Sequence, residues 1–261
     1  MRRSRLAVLL LLFAPRVACC AGLNLGWGLS CPTTTLSSVD VSDACDSNER
    51  IYTMVGSVVA PAGLSKVTAE EITADVDLDG GTLPPWWHLE DETSALPAGC
   101  RGAGAANPVG SLAVTTDLTG ASTAICKNYW GATGTGGFQY LPNFAGMDCG
   151  RIRAVFARPE ATAGPMIEHV QYYAFKLTLD TRHTVPDPSD PTDYVCAGCL
   201  VPACIMFVSC NLDQPPGTPG GDITVATQAT RQLVTWQGGY SCYFVSPVRR
   251  ATWGQIKSLY R

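Results

Sequence analysis

The sequence is poor in charge and in histidine, and it lacks the short motifs that mark common hydrolases. Charged residues make up 15% of the 261 residues, and the three histidines are His88, His169 and His183. Neither a GxSxG nucleophile motif nor a zinc-binding HExxH pair occurs. These absences remove the local signatures of serine hydrolases and zinc proteases, and we predict no catalytic residue.

Long apolar runs are also missing. The run Leu6–Phe13 is far shorter than the roughly 20 residues of a membrane-spanning helix. It lies between an arginine-rich start and the small residues Cys19–Ala21, so residues 1–21 predict a cleaved export signal. Lipid attachment at one of these cysteines and twin-arginine export are alternatives with poorer consensus matches. We expect a mature chain over 22–261 that is extracellular or periplasmic and not integral to a membrane.

Acidic residues outnumber basic ones. The whole chain has 18 lysines and arginines against 22 aspartates and glutamates, a net charge of −4. Residues 1–21 contain four of the arginines and no acid, so the mature chain has 14 basic and 22 acidic residues, a net charge of −8. This balance argues against nucleic acid or an anionic membrane surface as a partner.

Helical spacing is almost absent, whereas short alternating segments recur between glycines and prolines. The predicted strands are 52–63, 71–81, 110–120, 151–159, 169–182, 203–210, 222–228 and 231–239. They predict an all-β fold, an antiparallel β-sandwich or jelly roll forming one domain over 22–261. The last eleven residues, 251–261, differ because their apolar residues follow a helical stripe. They predict a short docked helix, with a sorting tail as the alternative.

Two of these strands carry sharper predictions. In 169–182, alternation puts Tyr173, Phe175, Leu177 and Leu179 on one face, as in a half-buried strand. The segment 203–210 has an unbroken apolar stretch and should be buried on both faces, at the centre of a sheet.

Cysteine is abundant, with twelve residues in the chain and ten after residue 21. An even number in an exported chain predicts about five disulfides. We expect Cys31 to pair with Cys45, since both lie in a polar N-terminal segment. The ten cysteines are Cys31, Cys45, Cys100, Cys126, Cys149, Cys196, Cys199, Cys204, Cys210 and Cys242.

Four of these cysteines form the segment CAGCLVPACIMFVSC, residues 196–210. A four-thiolate zinc site is one alternative to disulfides, but an extended strand would separate Cys204 from Cys210 by roughly 20 Å. Redox catalysis by Cys196 and Cys199 is another alternative, but it requires a helix that begins at these cysteines and lowers the pKa of the first thiol. The residues that follow, Leu-Val-Pro, oppose such a helix. We therefore favour structural disulfides.

The segment DVDLDGG, residues 75–81, suggests a calcium loop. Asp75, Asp77 and Asp79 have the spacing of the first ligands of an EF-hand, but the twelfth position is Trp86 instead of glutamate. Strand alternation is the simpler interpretation, with Ile72, Ala74, Val76 and Leu78 inward and the acids in solvent. Calcium is the one cofactor that the sequence suggests.

Aromatic pairs flank two turns. Trp86 and Trp87 follow two prolines, and Tyr129 and Trp130 precede a glycine-rich segment. Rings held on the loops of a sandwich can form a platform for the faces of sugars. The alternative is that these rings anchor their loops into the core. A platform would make a polysaccharide or a cell-surface protein the partner.

These observations predict a secreted, non-catalytic extracellular binding or structural module. The alternative is a secreted glycan-acting hydrolase, because a glycosidase can use two acids from separate strands without a local signature. His88, close to Glu90 and Asp91, is the nearest approach to such an arrangement.

Several segments together resemble a set of secreted proteins from environmental bacteria. The resemblance covers most of the mature chain and implies export and a single intact domain. The set has no established activity, so no catalytic residue is implied. The segments are PAG at 61–63, LPPWWH at 83–88, Cys100-Arg101, YYAF at 172–175, CAGC at 196–199, TWQGG at 235–239 and the C-terminal TWGQIKSLYR.

Overall fold

The fold is all-β, as predicted. The computed structural model describes residues 21–33, 37–78, 82–89, 101, 111–131, 134–144, 149–189, 195–229 and 232–239. Its helical turns are short, for example the 3₁₀ helices Pro85–Trp87 and Glu160–Thr162. Within these ranges no helix is long and apolar enough to cross a membrane. The predicted C-terminal helix at 251–261 lies outside the described residues.

One sheet has five strands, three of which pair with its longest strand. Its order is β1-β3-β9-β5, and β6 also pairs with β9. The pairs are antiparallel except for the short parallel pair of β6 with β9. The strands are β1 (Gly22–Trp27), β3 (Ile51–Val59), β5 (Leu112–Thr115), β6 (Lys127–Asn128) and β9 (Gln171–Asp180).

The other sheet has seven strands in the order β2-β12-β10-β4-β8-β7, with β11 also paired to β10. Only β2 and β12 pair in parallel. The strands are β2 (Asp40–Val41), β4 (Ala69–Leu78), β7 (Thr135–Leu141), β8 (Cys149–Ala157), β10 (Ala203–Asp213), β11 (Ile223–Val225) and β12 (Leu233–Trp236). Each of the eight predicted segments overlaps one of the observed strands, with some ends that differ by several residues, whereas β1, β2, β6 and β7 were not predicted.

The inner faces of the two sheets form one apolar core. In β4 every second side chain is buried, so Ile72, Ala74, Val76 and Leu78 point inward as predicted. The strand β10 lies between β4 and β12, which confirms the central position expected for residues 203–210.

A bulge changes the predicted face of one residue in β9. Phe175 pairs with Gly56 and Tyr173 with Ser57, so Ala174 is an extra residue in the ladder. Phe175, Leu177 and Leu179 belong to the main core as predicted. Beyond the bulge the alternation is inverted, because a shift of one residue turns each side chain to the opposite face. The prediction for Tyr173 was therefore wrong.

Tyr173 instead contributes to a second, smaller cluster of buried residues. We call this group the loop cluster, since two of its members lie on the connection between β5 and β6. Its members are Cys31, Val55, Leu118, Cys126 and Tyr173.

Candidate functional site

A polar cleft opens at the edge of the five-stranded sheet. Strand β9 is paired along one side by β5 at residues 176–179 and by β6 at 172–173. The chain leaves β5 and returns to β6 through a loop, and the cleft lies where these segments meet. Its volume is about 470 Å³, within the range of small-molecule sites. It is lined by Thr115, Thr116, Asp117, Leu118, Thr119, Asn128, Gly131 and Gly134.

Asp117 supplies a fixed negative charge to this cleft. Its Oδ1 atom accepts hydrogen bonds from the Thr119 hydroxyl at 2.6 Å and the Thr119 amide at 3.0 Å. Its own amide donates to the Thr115 hydroxyl at 2.9 Å. The bonds from Thr119 stabilise the ionised form and lower the pKa of the Asp117 carboxyl below its ordinary value of 3.8. The carboxylate is therefore charged and oriented at neutral pH.

Asn128 supplies an oriented amide to the lining of the cleft. Its Oδ1 atom accepts a hydrogen bond from the Gly131 amide at 2.9 Å. This contact uses the Oδ1 atom, and the Nδ2 group of the same amide is a donor of hydrogen bonds. Gly131 has a φ of +53°, a backbone conformation that suits glycine at this turn.

The residues of the loop cluster anchor the loop between β5 and β6 to the rest of the protein. The disulfide Cys31–Cys126 fixes the loop just before β6. The Tyr173 hydroxyl donates to the carbonyl oxygen of Ser122 at 2.8 Å. Leu118, which lines the cleft, packs in the same cluster. The polar groups of the cleft are thus held by covalent, apolar and hydrogen-bonded contacts together.

The predicted pair Tyr129 and Trp130 is buried or half-buried, and neither residue is among those that line the cleft. The Trp130 side chain is fully buried and packs edge-on against Tyr129, with ring centroids 5.2 Å apart. The Tyr129 hydroxyl donates to the carbonyl oxygen of Val67 at 2.6 Å and accepts from the Gly164 amide at 3.1 Å. These residues anchor their segment, which was the alternative that the sequence left open.

The other predicted pair is also in the core. Trp86 and Trp87 are both 0% exposed. The Trp86 ring stacks on Trp236 at 5.2 Å between centroids, and the buried Arg101 guanidinium lies 3.6 Å from the Trp86 ring centroid. Because a ring with no exposed surface cannot contact a sugar, the platform prediction was wrong for Trp86, Trp87 and Trp130.

The three aspartates of the predicted calcium loop do not form a described metal site. The Asp75 carboxylate accepts two hydrogen bonds from Arg151, at 2.6 and 2.7 Å. Asp77 accepts one from the Cys149 thiol at 3.1 Å. Asp79 lies outside the described residues. Asp75 and Asp77 project from the outer face of β4, as strand alternation predicted, and they bind side chains of β8.

Disulfides form, but not in the predicted pairing. Cys31 pairs with Cys126 and Cys45 pairs with Cys199, so the prediction of Cys31 with Cys45 was wrong. Cys196 and Cys204 are disulfide-bonded as well. Cys149 and Cys210 are buried thiols, which contradicts the expectation that all ten cysteines are oxidised. Cys100 and Cys242 lie outside the described residues.

One cluster has the ligand types of a metal site. Asp43, Cys45 and Cys199 place a carboxylate oxygen and two sulfurs within 4.8 Å of one another. The two sulfurs are bonded to each other, so neither is a thiolate ligand. The buried Asp43 carboxylate accepts hydrogen bonds from Arg50 and from the Tyr52 hydroxyl. The cluster therefore links the connection between β2 and β3 to the segment before β10.

Sequence reasoning missed two buried acids, Asp43 and Glu70. Glu70 is fully buried in β4, where it lies in phase with the inward-facing Ile72. Extending the alternation of β4 by two residues toward the N-terminus would have found it. The arrangement of His88 near Glu90 and Asp91, considered above for a hydrolase, cannot be traced in the described residues, because Glu90 and Asp91 lie outside them. The His88 side chain is buried, and its Nε2 atom lies 2.9 Å from the Leu83 carbonyl oxygen.

No protein-family model matches the chain, and no curated protein is significantly similar to it.

Proposed function

We propose that this protein is a secreted, non-catalytic binding module that holds an uncharged glycan in the cleft between β5 and β6. The observation that carries this proposal is the pair of hydrogen-bonded polar groups, the Asp117 carboxylate and the Asn128 amide, that line one cleft of about 470 Å³. A carboxylate accepts hydrogen bonds and an amide nitrogen donates them, so together they match neighbouring hydroxyl groups on a sugar ring.

The remaining lining supports a ligand rich in hydroxyls. Thr115, Thr116 and Thr119 bring further hydroxyl groups, which can both donate and accept. The negative charge of Asp117 and the net charge of −4 disfavour an anionic sugar. We therefore favour a neutral polysaccharide or the neutral glycan of a cell-surface protein as the partner.

Binding is favoured over hydrolysis by the number of carboxyl groups. Most glycosidases need two, about 5 to 10 Å apart. Asp117 is the one carboxylate among the lining residues within the described part of the chain. Its lowered pKa suits an acceptor of hydrogen bonds and not a proton donor at neutral pH.

Export is supported by the leader predicted for residues 1–21 and by the disulfides Cys31–Cys126 and Cys45–Cys199. Disulfides persist in oxidising compartments and are rare in reducing ones. The set of secreted bacterial proteins that the sequence resembles agrees with this location.

A screen against immobilised neutral glycans, followed by titration calorimetry with the best soluble oligosaccharide, tests the proposal. We expect Asp117→Ala to weaken binding at least about tenfold, since hydrogen bonds to a charged group contribute about 1.5–3 kcal/mol. Asp187→Ala is the matched control, because Asp187 Oδ1 makes the same two contacts with Ser189, at 2.8 and 2.6 Å, away from the cleft.

Two results would overturn the proposal. Equal affinities for the wild type and Asp117→Ala would place the ligand elsewhere. Release of new reducing ends from the bound glycan would show that the protein is an enzyme.

A further inference from the structure

Among the described strands, β7 is an edge strand of the seven-stranded sheet, and β5 of the other sheet lies close to it. Strand β7 pairs with β8 on one side, and no other described strand pairs with it. Residues 135–139 are all exposed, and the side chain of Phe138 is among the exposed large apolar groups at 38%. At about 3.3 Å per residue, its seven residues present roughly 23 Å of open backbone.

Other edges of the described sandwich are covered or short. The β1 edge is closed by the Leu23 amide bonding to the Thr227 carbonyl oxygen at 2.7 Å and by the Ala229 amide bonding to the Leu23 carbonyl oxygen at 3.0 Å. At the opposite edge of that sheet, β5 and β6 are four and two residues long. Strand β2 has two residues. Among the described strands, β7 is therefore the longest one with an open edge.

The usual devices that keep edge strands apart are missing from β7. Its sequence, TGGFQYL, contains no charged residue and no proline. The nearest charges on the neighbouring strand are Arg151 and Arg153, which form ion pairs with Asp75 and Glu71 on the far side from β7. Within the described strands β7 and β8, a second copy brought to this edge would therefore meet only charges that are already paired.

The alternation of β7 also suits pairing with itself. Phe138 lies opposite Ala154 in the ladder, and Tyr140 lies opposite Ile152, so both rings are on the inner side of the sheet. Tyr140 is buried, whereas Phe138 is left partly open at the margin of the core. A second strand at this margin would cover the open part of the Phe138 ring.

We propose that β7 pairs antiparallel with β7 of a second copy of this chain to form a twofold-symmetric dimer. The register centred on Phe138, the middle residue of Thr135–Leu141, pairs all seven residues of each strand and places the two Phe138 rings together. Such an interface is self-complementary, as a closed dimer requires. It joins the two seven-stranded sheets into one continuous sheet.

Sedimentation velocity and light scattering over the micromolar range test this dimer. We expect the wild type to be a dimer that dissociates on dilution, and Gly137→Lys to be a monomer at every concentration. A Cβ atom placed at Gly137 would meet no atom within 4 Å, so the position opens into free space and we expect lysine to leave the fold intact. Thermal unfolding of the variant verifies this.

Thr224→Lys is the matched control, because Thr224 is exposed on β11, away from β7. It should remain dimeric. A monomeric wild type would overturn the proposal, and so would a Gly137→Lys variant that dimerises like the wild type. If Thr224→Lys is monomeric, the copies associate through another surface and the proposal is equally wrong.

A cross-link tests the register. Phe138→Cys should form a covalent dimer on mild oxidation, since facing residues in an antiparallel pair lie within the span of a disulfide. Ile167→Cys, at an exposed site outside the sheets, should not. Covalent dimers from Ile167→Cys and none from Phe138→Cys would exclude the proposed pairing.

Discussion

The Oε2 atom of Glu70 lies 3.9 Å from the Sγ atom of Cys210, and both side chains are fully buried between the sheets. Burial raises the pKa of both groups well above their ordinary values. The neighbouring Trp130 and Cys210 side chains favour the charged form of Glu70 but do not outweigh the loss of water. The folded protein therefore holds Glu70 as a neutral acid above the pH at which an exposed glutamate ionises.

This pair makes stability depend on pH. In the unfolded chain Glu70 ionises near its ordinary pKa of 4.5, whereas in the folded chain it stays protonated to a higher pH. Above pH 4.5 the folded state binds more protons, so Glu70 lowers the free energy of unfolding as pH rises, by at most about 1.4 kcal/mol per pH unit. We expect Glu70→Gln to flatten this decline and to be more stable than the wild type at pH 8.

Urea unfolding between pH 4 and pH 8 measures the effect. Glu71→Gln is the matched control, because Glu71 is the next residue of β4 but faces solvent and pairs with Arg153. A wild type and a Glu70→Gln variant with the same slope above pH 4.5 would contradict the burial argument.

The state of the cysteines predicts a simple count of thiols. Cys149 and Cys210 are thiols, whereas Cys31 is bonded to Cys126. In denaturant without reductant, the number of thiols that react with Ellman's reagent should fall by one in Cys149→Ser and by one in Cys210→Ser. It should rise by one in Cys31→Ser, because Cys126 loses its partner. An unchanged count in Cys210→Ser would show that Cys210 is oxidised.

The tyrosine displaced by the β9 bulge should position the cleft. In Tyr173→Phe the hydrogen bond to the Ser122 carbonyl oxygen is lost, and the loop between β5 and β6 loses one of its anchors. We expect a loss of about 1 kcal/mol in stability and a several-fold weaker affinity for the glycan. Thermal unfolding and calorimetry measure the two effects separately.

Tyr172→Phe provides the comparison, since the Tyr172 hydroxyl accepts from the Ile167 amide at 2.9 Å, outside the cleft. It should lose a similar amount of stability and keep its affinity. If both variants bind as the wild type does, Tyr173 has no positioning role.

Binding should also weaken in acid. The Thr119 hydrogen bonds lower the pKa of Asp117 below 3.8, so affinity for the glycan should stay constant from pH 8 to about pH 4 and fall only below that. Thr119→Val removes the hydroxyl that is the main cause of the lowered pKa of Asp117. In this variant the fall in affinity at acid pH should therefore begin at a higher pH. Calorimetry at a series of pH values measures the affinity of the wild type and of Thr119→Val. If affinity falls at the same pH in both proteins, the role assigned to Thr119 is wrong.

The strands were predictable because alternation and turn residues are local properties of the sequence. The missed strands lack such a signal: β1 is buried at all six positions, and β7 has glycine at its second and third positions and five exposed residues. The bulge at Ala174 could not be predicted, since it depends on how β9 meets Gly56 and Ser57 of β3. A side chain at Gly56 would lie 2.2 Å from the Phe175 ring.

The candidate site was harder to predict than the fold. Asp117 and Asn128 carry no motif, and they come together because two short strands, separated along the chain, pair with the same side of β9. The cysteine pairing failed for the same reason. Cys31 is close to Cys45 in sequence, but the folded chain brings it to Cys126.

The order of the strands delays folding during synthesis. Strand β3 pairs with β9, and Cys45 bonds to Cys199, 154 residues later. Because these partners leave the ribosome late, β3 and Cys45 complete their pairings only after most of the chain has been made, and such non-local pairing is slow. Under the export that residues 1–21 predict, a nascent chain that stays open is suited to threading through a translocation channel. The pairing with Cys199 then closes only on the far side, where an oxidant is present.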